Sequence, residues 1–247
     1  MHPAARRKQR ERFLLERFLS VAKIDAQLAA VSESPDFEIA FDGRAIGVEI
    51  TEIFAPAPPN QHPLQARESL SSRVVASARR RYDRAGGVPV HLSVLFSAGD
   101  LRTVQRESLA EALAQLLLRL APTQGKHTLW RNDYKDEELA PVALVNALGV
   151  TEPQFAHWNV AAAGWLTPLT QEALQARVSA KNQSLPEYRK HVAEVWLVIA
   201  IEGSKPSQYF DLGGLLDPSA IKSAFDRTYL LSSIPGEVIR LGKYSDA

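Results

Sequence analysis

Apolar residues recur at roughly helical spacing through residues 5–30, with Phe13, Leu14, Phe18, Val21 and Leu28 standing out from a basic background. That spacing predicts an amphipathic helix. From Phe37 the period drops to two. In SPDFEIAFDGRAIGVEITEI (34–53), Phe37, Ile39 and Phe41 alternate with polar or small residues, and so do Ile46, Val48 and Ile50. Asp42-Gly43 between the two runs is the favoured chemistry of a type I′ turn, so the stretch predicts a β-hairpin. The register follows: Phe41 faces Arg44, Ala40 faces Ala45, Ile39 faces Ile46, Glu38 faces Gly47 and Phe37 faces Val48. Asp36 then lands opposite Glu49. One face of the hairpin is apolar, and the other carries Asp36, Glu38, Glu49 and Thr51.

The rest of the chain alternates helical and extended patterns. The Pro-rich run 55–63 reads as a connector, and a helix follows from Leu64 to Arg84, ended by Gly86-Gly87. VPVHLSVLF (88–96) reads as a strand. Leu109, Leu113, Leu116, Leu117 and Leu120 mark a helix over 101–120, whose wide apolar face suits core packing and a homodimer contact. Residues 121–165 carry mixed turns and a short helix at 138–148. Thr167 is a credible N-cap for a helix running to about Asn182. EVWLVIAI (194–201) reads as a buried strand, PSAIKSAF as a short helix, and FDRTYLLSS and GEVIRL as two closing strands. The expectation is a single α/β domain over 1–247, a mixed β-sheet flanked by α-helices, with a helical or irregular elaboration at 121–165.

Composition narrows the chemistry. The 247 residues are 45% hydrophobic and 23% charged, ordinary for a globular chain, and there is no cysteine. A disulfide framework, a thiolate nucleophile and a Cys-type zinc site are therefore excluded. The longest apolar runs are too short to cross a bilayer. The basic N-terminal stretch lacks a secretory apolar segment, so a cytoplasmic protein with no membrane partner is expected. The net charge of +1 hides segregation, since arginines crowd residues 6–17 and 67–84 while acids gather in NDYKDEEL (132–139). Such segregation suits a polyanion partner, and equally a pair of solvated helix faces.

The candidate chemistry lies on the hairpin. Opposed carboxylates at Asp36 and Glu49 would hold their Cβ atoms about 5 Å apart and repel, unless a cation sits between them. Mg²⁺ suits such a pair, because it takes one or two carboxylates and completes its shell with waters and phosphate. The Ile50 carbonyl lies between Glu49 and Thr51 and adds an oxygen ligand. The alternative is a solvent-facing hairpin whose acids point to water. The six histidines are scattered without metal-ligand spacing, and no Walker A, Gly-rich dinucleotide or G-x-S-x-G motif occurs. Trp130, Trp158, Trp165 and Trp196 could stack on bases, although Trp196 reads as core.

Pro35-Asp36 followed by Glu49-Ile50-Thr51 resembles the bipartite signature of the PD-(D/E)xK nuclease superfamily, the restriction-endonuclease-like fold. Threonine at 51 stands where that family carries lysine. The resemblance covers about residues 10–96, and the later strands fit loosely. It implies a restriction-endonuclease-like mixed sheet and a DNA endonuclease or exonuclease that uses Mg²⁺ or Mn²⁺. Asp36, Glu49 and the Ile50 carbonyl would hold the metal, and Thr51 would fill the third motif position. The missing cation would come from Lys181, which otherwise reads as a solvated helix-end lysine; Glu52 or a second metal could also serve. Glu16 would add a third carboxylate, or else pair with a neighbouring base on its helix. Arg73, Arg80, Arg81, Arg189 and Lys190 would contact phosphates. The same resemblance admits a catalytically inactive protein retained for nucleic-acid binding or assembly.

Overall fold

The computed structural model describes residues 3–56, 63–97, 101, 105–122, 125–161, 166–213 and 217–242. Trp165, His2 and His62 lie outside the described residues, as do 57–62 of the expected connector and 102–104 of the expected third helix. In chain order the structure runs α1 (Pro3–Ala22), β1 (Gln27–Val31), β2 (Phe37–Phe41), β3 (Arg44–Glu52), α2 (Leu64–Arg84) and β4 (Val90–Phe96). It continues through α3 (Arg106–Leu120), β5 (Lys126–Trp130), β6 (Val142–Gly149), β7 (Trp158–Val160), β8 (Thr167–Pro168) and α4 (Gln171–Asn182). Helix α5 (Leu185–Tyr188), β9 (Glu194–Ile201), β10 (Phe210–Asp211), β11 (Arg227–Ser232) and β12 (Glu237–Leu241) complete it. This is a mixed α/β architecture.

The chain divides into two compact units, one from residues 1–56 and 165–247, the other from 57–164. The expected single domain with an elaboration at 121–165 is thus drawn differently. Strand β4 does not join the sheet of the hairpin. It pairs antiparallel with β6 and parallel with β7, in a four-stranded sheet ordered β5-β6-β4-β7. The expected helix at 138–148 is strand β6: Val145 and Ala147 point inward while Asn146 and Leu148 point outward, a period of two. Long-range pairing with β4 overrides the local helical look of that segment. Helices α2 and α3 cover one face, where Leu109, Leu113, Leu116 and Leu117 pack with Val74, Leu92 and Val145. The apolar face of α3 is therefore used inside this unit.

The first unit carries a six-stranded sheet ordered β1-β2-β3-β9-β11-β12. Strands β3, β9 and β11 run parallel, and β1, β2 and β12 are antiparallel to their neighbours. One face packs on α1, where Leu14, Leu15 and Phe18 meet Phe37, Ile39, Val48, Trp196 and Val198. The opposite face packs on α4 and α5, through Leu174, Val178, Leu185 and Tyr188 against Val195, Leu197 and Ile199. Trp196 is fully buried, edge-on to Phe41 and Tyr229.

Helix α1 stops well before residue 30. Lys23 adopts a left-handed φ of 54°, and the Ile24 N–H returns to the Leu19 carbonyl at 3.0 Å, which closes the helix end. The following residues form edge strand β1. Likewise α4 is capped by Thr170, whose hydroxyl accepts from the Ala173 N–H at 3.2 Å, and not by Thr167, which pairs with Phe210. The segment PSAIKSAF contains only a short 3₁₀ turn at Pro218–Ala220. Among the described residues, no helix is long and apolar enough to cross a membrane.

Candidate functional site

The hairpin register matches the sequence argument through five pairs, from Phe41 opposite Arg44 to Phe37 opposite Val48. The sixth pair does not form. Strand β2 begins at Phe37, just after Pro35, which has no N–H to give the ladder. Asp36 therefore leaves the ladder, and its carboxylate does a backbone's work: Oδ2 accepts the Ile50 N–H at 3.0 Å. This satisfies a buried strand donor that β2 no longer reaches. In a strand the N–H and C=O of one residue point to the same edge, so the Ile50 carbonyl faces the Asp36 side.

Asp36 and Glu49 are both buried, at 6% and 4% exposure. They line a cavity of about 400 Å³ with Thr51, Glu52, Ile50, Glu11, Arg7, Arg10, Arg177, Lys181 and Tyr188. Thr51 is buried in its wall. Strand alternation puts Glu49 and Thr51 on the α4–α5 side of the sheet, and Glu52 on the α1 side.

Each hairpin acid meets a lysine from a different layer. Lys181, in the last turn of α4, places Nζ 2.5 Å from Glu49 Oε1. Lys8, in α1, places Nζ 2.9 Å from Asp36 Oδ1 and 2.9 Å from Glu11 Oε2, and donates to the Ser32 carbonyl at 2.9 Å. The repulsion that would call for a bound cation is thus offset by two ammonium groups. Tyr188 on α5 lines the same cavity beside Glu49.

These contacts set the titration of the site. Burial foremost, then the charge of Asp36, pushes the Glu49 carboxyl above its ordinary range, while Lys181 and Tyr188 pull it down. Burial likewise raises Glu11, with Asp36 adding to it against Lys8. For Lys8, burial acts downward, but its bonds to Asp36 and Glu11 outweigh it and the net shift is upward. The Tyr188 phenol is raised by burial and then by Glu49, so it remains a donor across the neutral range.

Several expected site residues sit elsewhere. Glu16 is 60% exposed at its side chain and pairs with Arg12 at 2.8 Å. It lies about 140° around the helix from Glu11, and Glu11 is the α1 acid that faces the cavity. Glu52 is gripped by Arg10, Nε to Oε2 at 2.8 Å and Nη2 to Oε1 at 2.6 Å, and by Gln208 at 2.8 Å. Arg10 also reaches Glu202. Of the expected phosphate contacts, Arg81 pairs with Glu107 and Glu111 at 2.6 and 2.9 Å. Arg189 pairs with Asp226 at 3.2 Å, and Lys190 with Glu187 at 2.5 Å. Arg73 and Arg80 are exposed on α2. Trp158 packs on Tyr82 in the core of the second unit, and Trp130 is 60% exposed.

Lys8, Glu11, Arg177 and Tyr188 were not among the expected residues. The first two share the inward stripe of α1 with Leu15 and Phe18 at three- and four-residue spacing, a signal masked by the surrounding basic run. Among the described residues, no group of three His, Asp or Glu side chains is arranged to hold a metal ion. The chain matches no protein-family model, no curated protein and no solved structure.

Proposed function

We propose that this protein is a metal-dependent nuclease that hydrolyses phosphodiester bonds of nucleic acid, with DNA as its substrate. The observation that carries the reading is the Lys181–Glu49 contact: a lysine from α4 reaches the hairpin acid where the strand itself offers Thr51. A buried carboxylate pair, a strand carbonyl at the same edge and a converging lysine form a hard, oxygen-rich donor set with a cation beside it. That set fits Mg²⁺ or Mn²⁺.

Asp36, Glu49 and the Ile50 carbonyl would hold the ion. When bound, it supplies Lewis-acid activation of water and charge neutralisation at the scissile phosphate. The protein's own groups do the rest. Tyr188 lines the cavity beside Glu49. Lys181 opposes the upward push that burial gives the Glu49 carboxyl and presents N–H donors to a water or a phosphate oxygen on the cavity side. The Ile50 N–H locks Asp36 at the strand edge. A cytoplasmic location belongs to the same proposal.

One observation favours a second reading, a catalytically inactive nucleic-acid-binding protein on the same fold. Both carboxylates already have a lysine partner, and no third acid joins them in a metal-holding group. The test is a cleavage assay on linear, supercoiled and single-stranded DNA and on RNA, with Mg²⁺, Mn²⁺ or EDTA, wild type beside Glu49→Ala. Metal-dependent cutting that vanishes in the variant supports the nuclease. Salt-sensitive binding by both proteins without cutting supports the binder.

A further inference from the structure

We infer that Arg177 is the phosphate anchor of this cavity, the side chain that grips one particular phosphodiester of a bound nucleic-acid strand; the inference rests on the nucleic-acid reading of the site. Arg177 and Lys181 are four residues apart on α4, so they share one helix face about 6 Å apart along its axis. Both line the cavity.

What separates Arg177 from the other cations there is its lack of a partner. Arg7 is 3.3 Å from both Glu11 and Glu33. Arg10 is forked onto Glu52, and Lys181 sits on Glu49. Among the described residues, Arg177 has no carboxylate or hydrogen-bond partner, and its Nε is buried without an acceptor. An arginine left unpaired in the wall of a cavity is a ready donor for an anion that enters it. The acids of the cavity are already matched by lysine and arginine, so Arg177 is the charge left over for an incoming anion.

The geometry of the guanidinium selects the class of that anion. Its two terminal Nη groups present parallel N–H donors that match two oxygens of a phosphate, a pairing that a lysine cannot reproduce. A phosphodiester held by Arg177 would lie beside Lys181 and Glu49, one helical turn away.

The experiment is a binding titration in EDTA and in Ca²⁺, with no cutting required, using a fluorescent oligonucleotide as a single strand and as a duplex. A set of strands in which one neutral methylphosphonate linkage is moved along the sequence maps the contact. Wild type is expected to lose affinity at one linkage. Arg177→Ala is expected to bind the all-phosphate strand about tenfold more weakly and to show no sensitivity at that linkage, and Arg177→Lys to recover part of the affinity. Circular dichroism and melting of Arg177→Ala and Arg177→Met check that the fold is kept. Unchanged affinity in Arg177→Ala and Arg177→Met, an unchanged linkage profile, or no oligonucleotide binding by wild type would overturn the inference. If the linkage effect appears without any Mg²⁺-dependent cutting, the nuclease reading fails and the anchor stands.

Discussion

Lys181 Nζ stands 2.5 Å from Glu49 Oε1, and the two residues come from different layers of the first unit, the last turn of α4 and the parallel strand β3. The lysine side chain is a quarter exposed, while the carboxylate is almost wholly covered. The pair has one partner at the cavity mouth and the other in its wall. An ammonium so placed can hold the carboxylate and still offer N–H donors to a ligand.

Replacing Lys181 by Met should therefore act on chemistry more than on folding. Glu49 can take up a proton and the lost lysine is a quarter exposed, so stability should fall by only about 1 kcal/mol. If the protein is the proposed nuclease, metal-dependent cutting should fall about 10²–10⁴-fold, the range for a positioned acid–base group. Single-turnover cleavage and urea denaturation of the same variant read the two effects. A variant that cuts at near the wild-type rate would remove Lys181 from the mechanism.

Glu49 also gives the fold a pH signature. Its proton is held above the ordinary glutamate value of 4.5, through burial first and then Asp36. The folded state thus binds that proton more tightly than the unfolded chain does. The contribution favours folding fully below 4.5 and is lost as pH rises through the raised folded value. Urea titrations of wild type and Glu49→Gln across this window should show the advantage of wild type shrinking as pH rises. A constant difference would mean that Glu49 titrates normally.

Gly47 probes how the hairpin is held beneath the α4–α5 layer. A Cβ there would lie 2.6 Å from Pro35 Cγ and 2.6 Å from Val192 Cγ2. Neither can yield without moving the loop that carries Asp36 or the chain entering β9. Gly47→Ala should cost about 1–3 kcal/mol and, on the proposed nuclease reading, weaken cleavage along with stability, because Asp36 moves with Pro35. Gly43→Ala, where a Cβ meets nothing but the φ is +71°, should lower stability while leaving cleavage per folded molecule intact. Thermal melts beside activity per folded molecule separate the two. Equal loss of specific activity in both would refute the argument.

The hairpin and its register were legible because a period of two and an Asp-Gly turn are local signals. The matched pairs from Phe41–Arg44 to Phe37–Val48 show it. Asp36 was misplaced by one step, since the sequence does not show that a side chain will replace the strand partner of the Ile50 N–H. Lys181 was recognisable as a helix-end lysine before a buried strand, but its contact with Glu49 depends on how α4 crosses the sheet. Glu11 and Lys8 were hidden for a related reason. On α1 the choice between Glu11 and Glu16 rests on which stripe faces inward, and the arginines around them blur that stripe. Strand β6 failed as a helix because its central partner β4 lies far back along the chain.

Tyr188 carries the last prediction. Burial, and after it the charge of Glu49, holds its phenol proton beyond the ordinary tyrosine value of 10.0. The folded state therefore resists forming the phenolate more than the unfolded chain does. This contribution is complete below pH 10 and is lost as pH rises through the raised folded value. At about pH 7, Tyr188→Phe should cost about 1 kcal/mol, the loss of one buried hydroxyl. Above pH 10 wild type should lose that lead, because it must keep an ever less favourable proton while phenylalanine has none. Tyr82 and Tyr134 are raised by burial as well, so the variant keeps part of the alkaline decline. Urea denaturation of both proteins from about pH 7 to pH 11 should show the two stability curves converging. Parallel curves would mean that Tyr188 ionises as freely in the fold as outside it.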